Sequence, residues 1–119
     1  MACKANVRYA GDVAVVDLSG RITLGDGSGT VRETVKNLIN QGKKQVLLNL
    51  GDVSYIDSAG LGELVGSYAT ISNQGGQIKL LNAQSKVRDV LQVTKLYTVF
   101  ENFTDEATAI RSFTGRASA

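Results

Sequence analysis

Hydrophobic and polar residues alternate at the start of the chain and then recur at helical spacing. Residues 5–18 have a period of two, broken at Gly11-Asp12, which predicts a β-hairpin. Residues 30–41 carry one apolar stripe opposite a polar face, and Gly42 follows, as is typical of an amphipathic helix with a glycine stop. The nearly continuous apolar run 45–50 is too short for a typical helix and predicts a central strand.

The second half of the chain continues the alternation of helix and strand. A helical pattern begins at Asp57 and Ser58 and stops near Asn73, before a Gln-Gly-Gly breaker. Its apolar positions, expected to face the core, are Leu61, Leu64, Val65, Tyr68 and Ile71. The segments predicted after it are a strand at 77–82, a short helix capped by Ser85, a strand at 97–100 and a last helix starting at Thr104. That helix is expected to bury Ala107, Ile110 and Phe113.

This order of elements predicts one α/β domain over residues 1–114, followed by a disordered tail at 115–119. The sheet is expected to be mixed, parallel in its centre and antiparallel at the N-terminal hairpin, with about four amphipathic helices packed on it. A length of 119 residues with 43% hydrophobic content suits a single modest core.

The charge, the apolar stretches and the cysteine content argue against several classes of function. The formal charge of +2 is spread among interspersed acids and bases, so the sequence lacks the basic face that nucleic-acid binding needs. No stretch approaches the ~18 apolar residues of a membrane span, and the N-terminus lacks the apolar core of a signal peptide. Cys3 is the only cysteine, so no internal disulfide can form. These features favour a cytoplasmic protein without membrane insertion.

The stretch that begins at Asp57-Ser58 holds the most informative local chemistry. Both residues fall at a helix N-terminus, where a short polar side chain can cap unpaired N–H groups. Gly60 and Gly62 lie in the first turns, where each costs roughly 0.8–1 kcal/mol relative to alanine. A glycine there permits close approach of another backbone, either a strand of the same domain or a partner. We therefore expect Ser58 on an accessible, open helix start.

The run Asp57-Ser58-Ala59-Gly60-Leu61-Gly62 resembles the signature of the STAS domain family, the anti-sigma-factor antagonists of bacteria. The segment Leu18-Ser19-Gly20-Arg21-Ile22 resembles a second, weaker hallmark of that family. The resemblance implies a STAS-like fold with helices mainly on one side of the sheet, and phosphorylation at Ser58. The partner-binding residues that it implies are Asp57, Ser58, Ala59, Gly60, Leu61, Gly62 and Glu63. Ala59 and Glu63 depart from the commoner family pattern, which leaves the partner's identity open.

The same resemblance implies a switch. In such antagonists the unmodified protein binds an anti-sigma factor that is also its serine kinase, and this releases a sigma factor. Phosphorylation ends the interaction, and a serine phosphatase acting on phosphorylated Ser58 restores it.

Catalysis by this chain itself has little support in the sequence. The chain contains no histidine, so a Ser-His-Asp triad is impossible and Ser58 has no evident activating base. One cysteine and scattered carboxylates do not predict a metal site or a cofactor. Asp26, Asp52 and Asp57 could gather around a divalent cation, but loop turns and caps are the simpler interpretation.

The glycine-rich run 25–29 precedes a helix but lacks the lysine of a phosphate-binding loop, so a flexible loop is favoured over a nucleotide cradle. If the fold brings this loop beside Ser58, the possible contacts are Arg21, Asp26, Gly27 and Ser28. Two alternative functions stay open. One is a STAS subunit of a lipid or anion transport complex, and the other is a small nucleotide-binding regulatory protein that uses this loop.

Overall fold

The computed structural model describes residues 3–24 and 28–117. The elements are β1 (Lys4–Ala10), β2 (Val13–Ile22), α1 (Ser28–Asn40), β3 (Gln45–Ile56), α2 (Ser58–Asn73), β4 (Gln77–Leu81), α3 (Ser85–Val93), a short 3₁₀ helix (Leu96–Thr98), β5 (Asn102–Phe103) and α4 (Glu106–Ala117). The strands form one five-stranded sheet in the order β1-β2-β3-β4-β5, antiparallel between β1 and β2 and parallel beyond. The predicted α/β class and mixed sheet are confirmed.

The sequential strand order explains where the helices lie. Helices α1, α2 and α3 each connect a strand to its parallel neighbour in the same direction across the sheet. Since such crossovers are almost always right-handed, all three helices fall on one face of the sheet. Helix α4 follows the last strand and packs on the opposite face. The expectation of helices mainly on one side is thus met.

The core has two unequal parts. The larger part lies between the sheet and α1, α2 and α3, and the smaller part lies under α4. The smaller part consists of Val13, Val15, Leu47, Leu81, Ala109 and Phe113. Strand β3 is the middle strand and contributes to both parts, so Val46, Leu47 and Leu48 are fully buried. No helix among residues 3–24 and 28–117 is long and apolar enough to cross a membrane.

The N-terminal hairpin has the predicted turn. Gly11 adopts a φ of +61°, and Asp12 does not have a positive φ, as in a two-residue turn with glycine first. Further along β2, Gly20 adopts a φ of +101°, and the pairing with β3 shifts register on both sides of Ser19 and Gly20. Each of the two shifts places an extra residue in β3, so these bulges leave β2 continuous to Ile22.

Helix α4 is held to the sheet by an ion-pair network as well as by its apolar face. The Arg8 guanidinium donates to Asp17 at 2.6 and 3.1 Å and to Glu106 at 2.6 and 2.8 Å. Asn49 also donates to Asp17, at 2.8 Å. The neighbouring guanidinium lowers the pKa of both carboxyl groups, with the Asn49 bond assisting at Asp17. Arg8 thereby links β1 and β2 to the first turn of α4.

The prediction of a strand at residues 97–100 is wrong. Lys95 adopts a left-handed φ of +62°, which turns the chain after α3, and the next residues form the 3₁₀ helix with local main-chain bonds. Phe100 is buried and its ring meets Tyr68 edge-on with centroids 5.6 Å apart. The turn and the anchoring of this ring override the β propensity of the segment. The fifth strand is instead the two-residue β5.

Two details of the last helices also differ from the predictions. Gln84, not Ser85, occupies the N-cap of α3, makes no side-chain cap and donates its amide to the Gly51 carbonyl. In α4, Ala107 is exposed although it was expected to be buried. Ala109 is buried instead, together with Phe113. The helix runs to Ala117, three residues into the predicted tail, and the last two residues lie outside the described part.

Burial on both sides makes β3 the expected centre of stability. We predict that the amides of residues 46–50 exchange with solvent only through global unfolding and are among the most protected in the protein. Hydrogen exchange followed by NMR measures this. Residues 102 and 103 of the short edge strand are the internal comparison and should exchange much faster. Equal protection of the two segments would contradict this arrangement of the sheet.

Candidate functional site

The site forms where β3 ends and α2 begins. Ile56 is the last residue of β3, Asp57 is the extended N-cap residue and Ser58 is the first residue of α2. The predicted start of the helix at Asp57 and Ser58 is confirmed. The site therefore lies beyond the carboxyl end of a central parallel strand, where functional groups commonly lie in α/β sheets. Ser58 is exposed, and within the described part of the chain its hydroxyl makes no hydrogen bond.

The Asp57 carboxylate connects the helix to the end of β2. One oxygen accepts the Gly60 N–H at 2.9 Å, and the other accepts the Leu24 N–H at 3.0 Å. The Asp57 N–H in turn donates to the Ile22 carbonyl at 3.3 Å. The bonds from Gly60 and Leu24 favour the charged form and lower the pKa of Asp57. Asp57 thus acts as a cap and as a tie between two segments that are distant in sequence.

The two glycines of the motif have different roles. A Cβ at Gly60 would lie 2.0 Å from the Ile22 carbonyl oxygen, so only glycine allows α2 to approach β2 this closely. At Gly62 an added Cβ would meet nothing within 4 Å among the residues that the structure describes. Gly60 therefore serves the fold of the domain and is buried, whereas Gly62 faces open space on the surface.

The exposed face of α2 begins at Ser58 and carries no charge. Four of its residues are small, and one is a valine that is 38% exposed: Ser58, Gly62, Val65, Ala69 and Ser72. Their spacing of alternately four and three residues places them in one line along the helix. The buried line has the same spacing and consists of Gly60, Leu64, Ser67 and Ile71. The prediction that Val65 faces the core is wrong, and Tyr68, at 36% exposed, lies between the buried and the exposed face.

Glu63 is the only charged residue of α2, and it does not belong to the exposed face. Its side chain is 18% exposed, with one oxygen 3.7 Å from the Arg32 guanidinium of α1. Its other oxygen is buried and has no hydrogen-bond partner in the described part of the chain. The side chain is thus directed at the α1–α2 contact, while Ala59 and Leu61 are half-buried beside the helix start.

The end of β2 supplies the second side of the site. Leu24 is 78% exposed, and its N–H is held by Asp57. Arg21 is exposed near the end of β2, and Ser28 begins α1. The predicted loop contacts Asp26 and Gly27 lie outside the described residues. Sequence reasoning missed Leu24, since only the fold brings its main chain to Asp57.

The different environments of the two glycines predict opposite effects on stability. Gly60→Ala should lower the free energy of unfolding by about 3 kcal/mol, because its methyl group collides with a carbonyl oxygen in a packed region. Gly62→Ala should raise it by about 0.5–1 kcal/mol, because alanine is the better helix former and has free space. Urea unfolding of the two variants measures both changes. Equal effects of the two substitutions would contradict this assignment.

The Asp57 tie predicts a pH-dependent contribution to stability. Because folding lowers the pKa of Asp57, its charged form favours the folded state. This contribution is complete above the unfolded pKa of about 3.9 and is lost as the pH falls through the lower folded pKa. Asp57→Asn should therefore be less stable than the wild type at pH 7, and the difference should shrink below about pH 4.

Urea unfolding of both proteins between neutral and acid pH tests this expectation. The control is Asp89→Asn, which changes an exposed carboxylate on α3 that accepts no hydrogen bond in the described residues. A stability difference for Asp57→Asn that stays constant across the acid range would show that the charge of the carboxylate is unimportant.

Comparisons with known proteins agree on one family. The family model for the STAS domain matches residues 4–109. The anti-sigma-B factor antagonist of Bacillus subtilis (strain 168) is 33% identical over 86 residues, which cover 72% of this chain and 77% of that protein. The anti-sigma F factor antagonist of Paenibacillus polymyxa is 26% identical over 99 residues, or 82% of this chain and 84% of that protein.

Solved structures of related fold are also known. The crystal structure of an anti-sigma factor antagonist from Mycobacterium paratuberculosis superposes with a TM-score of 0.84 at 17% identity and covers 95% of both chains. At that identity the likeness concerns the fold alone. With the family model matching nearly the whole chain, the protein belongs to the STAS domain family.

Proposed function

We propose that this protein is a cytoplasmic anti-sigma factor antagonist controlled by phosphorylation of Ser58. Its unmodified form binds an anti-sigma factor that is also its serine kinase, and this binding releases a sigma factor. Phosphorylation of Ser58 ends the interaction, and a serine phosphatase restores it. Family membership and the relatives named anti-sigma factor antagonists support the general activity. The observation that carries the finer proposal is the position of Ser58 at the head of the uncharged face of α2.

That face suits contact with another protein. Its residues are uncharged and all but Val65 are small, and Gly62 leaves open space above the second turn of the helix. A partner can therefore approach the helix closely without leaving a charge of α2 unpaired, since Glu63 is directed at α1. Leu24 adds an exposed apolar side chain beside the helix start. Desolvated apolar contacts surrounded by polar groups are typical of protein interfaces.

A phosphate on Ser58 would add a negative charge at the N-terminal end of this face. It adds a charge of about −1.5 to −2 next to the Asp57 carboxylate. In the free protein, water and the positive end of the α2 dipole compensate that charge, so the fold should tolerate it. Docking of a partner removes the water and leaves two neighbouring negative groups in a confined space. Burial of an unpaired charge at an interface is costly enough to end binding.

The protein acts in this proposal as a substrate and a binding partner rather than as an enzyme. The chain has no histidine, and in the described residues no side chain accepts the Ser58 proton. Both Asp57 oxygens already accept main-chain N–H groups. A kinase therefore has to supply the base for phosphoryl transfer, and the exposure of Ser58 gives it access.

The proposal predicts that incubation with the cognate kinase and ATP phosphorylates Ser58 and weakens binding to that partner about 100-fold or more. Mass spectrometry locates the modified residue, and isothermal titration of both forms gives the affinities. Ser58→Ala should bind like the wild type and resist modification. Ser72→Ala, a matched change at the far end of the same face, should bind and be modified normally.

A second variant tests whether the exposed face of α2 binds the partner, without changing the Ser58 hydroxyl. Gly62→Leu keeps Ser58 but fills the open space, so it should weaken partner binding while circular dichroism still shows a folded protein. Phosphate on another residue, or equal affinity of the two forms, would overturn the switch. Undiminished binding of Gly62→Leu would show that the partner uses another surface.

A further inference from the structure

The two edges of the sheet differ. Strand β5 has two residues, and α4 begins three residues after it. Strand β1 has seven residues and pairs with β2 along its whole length without a register shift. Natural edge strands are usually blunted by proline, bulges, short length or charge. The chain contains no proline, and Lys4 is the only charge of β1 that lacks an ion-pair partner in the described residues. The β1 edge is therefore well suited to pair with another strand.

The turn of the hairpin shows which main-chain groups are available. A two-residue turn makes Ala10 and Val13 a hydrogen-bonded pair, and such pairs then alternate along the two strands. The N–H and C=O groups of Ala5, Val7 and Tyr9 consequently point away from β2. Within the described residues, no hydrogen bond outside the sheet reaches the main chain of these three residues. The edge thus offers three donors and three acceptors in alternating positions.

We propose that a second copy of this chain pairs with that edge, β1 against β1 in antiparallel orientation, with the two-fold axis at Val7. Val7 then bonds its counterpart in both directions, and Ala5 of each copy bonds Tyr9 of the other. Six main-chain hydrogen bonds form, and the two five-stranded sheets become one ten-stranded sheet. This inference is independent of the proposed function.

The side chains of β1 match each other in this arrangement. Side chains alternate between the faces, so Ala5, Val7 and Tyr9 lie on the face of α1 and meet across the axis. All three are apolar or aromatic, Ala5 and Val7 are half-buried, and Tyr9 is 52% exposed. Pairing would remove much of this surface from water. Cross-strand pairs of aromatic and β-branched residues stabilise sheets.

On the α4 side of β1, no like charges lie directly opposite each other in this arrangement. With the axis at Val7, Lys4 lies opposite Ala10 and Asn6 lies opposite Arg8. Arg8 is already held by Asp17 and Glu106 of its own chain, so it does not bring an uncompensated charge to the contact. A second copy presents the same apolar row and the same paired arginine, and by two-fold symmetry the Ala5–Tyr9 contact then occurs twice. This complementarity favours self-association over another extended partner.

Hydrogen exchange on the unmodified full chain gives the first test. In the dimer, the amides of Ala5, Val7 and Tyr9 become protected as the protein concentration rises from about 1 to about 500 μM. The amide of Arg8 bonds within the hairpin in either state and is the internal control. Fast, concentration-independent exchange at Val7 overturns the proposal.

A matched pair of variants gives the second test. Val7→Pro removes the outward N–H without removing a bond to β2, whereas Val7→Ala loses similar packing but keeps that N–H. Sedimentation velocity should show a dimer for the wild type. The dissociation constant of Val7→Pro should exceed that of Val7→Ala about tenfold or more, since both copies lose a central bond. A monomeric wild type, or equal constants for the two variants, overturns the proposal. If Val7→Pro does not fold, the exchange experiment decides.

Discussion

The close approach of α2 to the end of β2 at Gly60 sets the geometry of the whole site. The backbone of Gly60 lies against the Ile22 carbonyl, where no side chain would fit. This contact brings Asp57 within hydrogen-bonding distance of Leu24, so one carboxylate can hold the helix start and the chain after β2 together. With both carboxylate oxygens used inside the domain, Ser58 remains as the outward polar group at the head of the helix.

The burial of one side of α2 determines what its other side presents. The line from Gly60 to Ile71 packs on the sheet, and the single acidic residue, Glu63, is turned towards Arg32 of α1. The exposed line from Ser58 to Ser72 has no charge, and all its residues except Val65 are small. A charge added to such a surface is costly to bury, because docking of a partner removes the water that compensates much of it. In the proposed switch, this is how a phosphate on Ser58 would end binding to the face.

The opposite side of the sheet is organised differently. Among residues 3–24 and 28–117, only α4 covers it, with Phe113 and Ala109 over a small apolar cluster and the Arg8 network at the first turn of the helix. The buried Lys79 ammonium adds a bond to Ser112 at 2.9 Å and an ion pair with Glu101 at 3.2 Å. The α4 contact therefore combines a modest hydrophobic area with ionic links. The β1 edge beyond it keeps its outward main-chain groups unpaired among the described residues.

Most elements of this protein were predictable from the sequence because local interactions determine them. Asp57 caps a helix that starts where the pattern indicated, and Gly11, Gly42 and Gly75 adopt the positive φ that their turns require. The alternation of strands and helices, with the usual handedness of crossovers, then gives the sheet. The motif and the exposure of Ser58 followed from the same local pattern.

Tertiary structure alone decided the features that depend on distant neighbours. Gly60 and Gly62 look alike in the sequence, and only the position of Ile22 shows that one serves the fold and the other faces the surface. Val65 has the hydrophobicity of a core residue, but the packing of α2 against α1 and the sheet leaves it outside. The segment 97–100 has β propensity, but the turn at Lys95 and the burial of Phe100 made it helical or irregular. Hydrophobicity and propensity describe a residue by itself, whereas burial and main-chain pairing depend on what the fold places beside it.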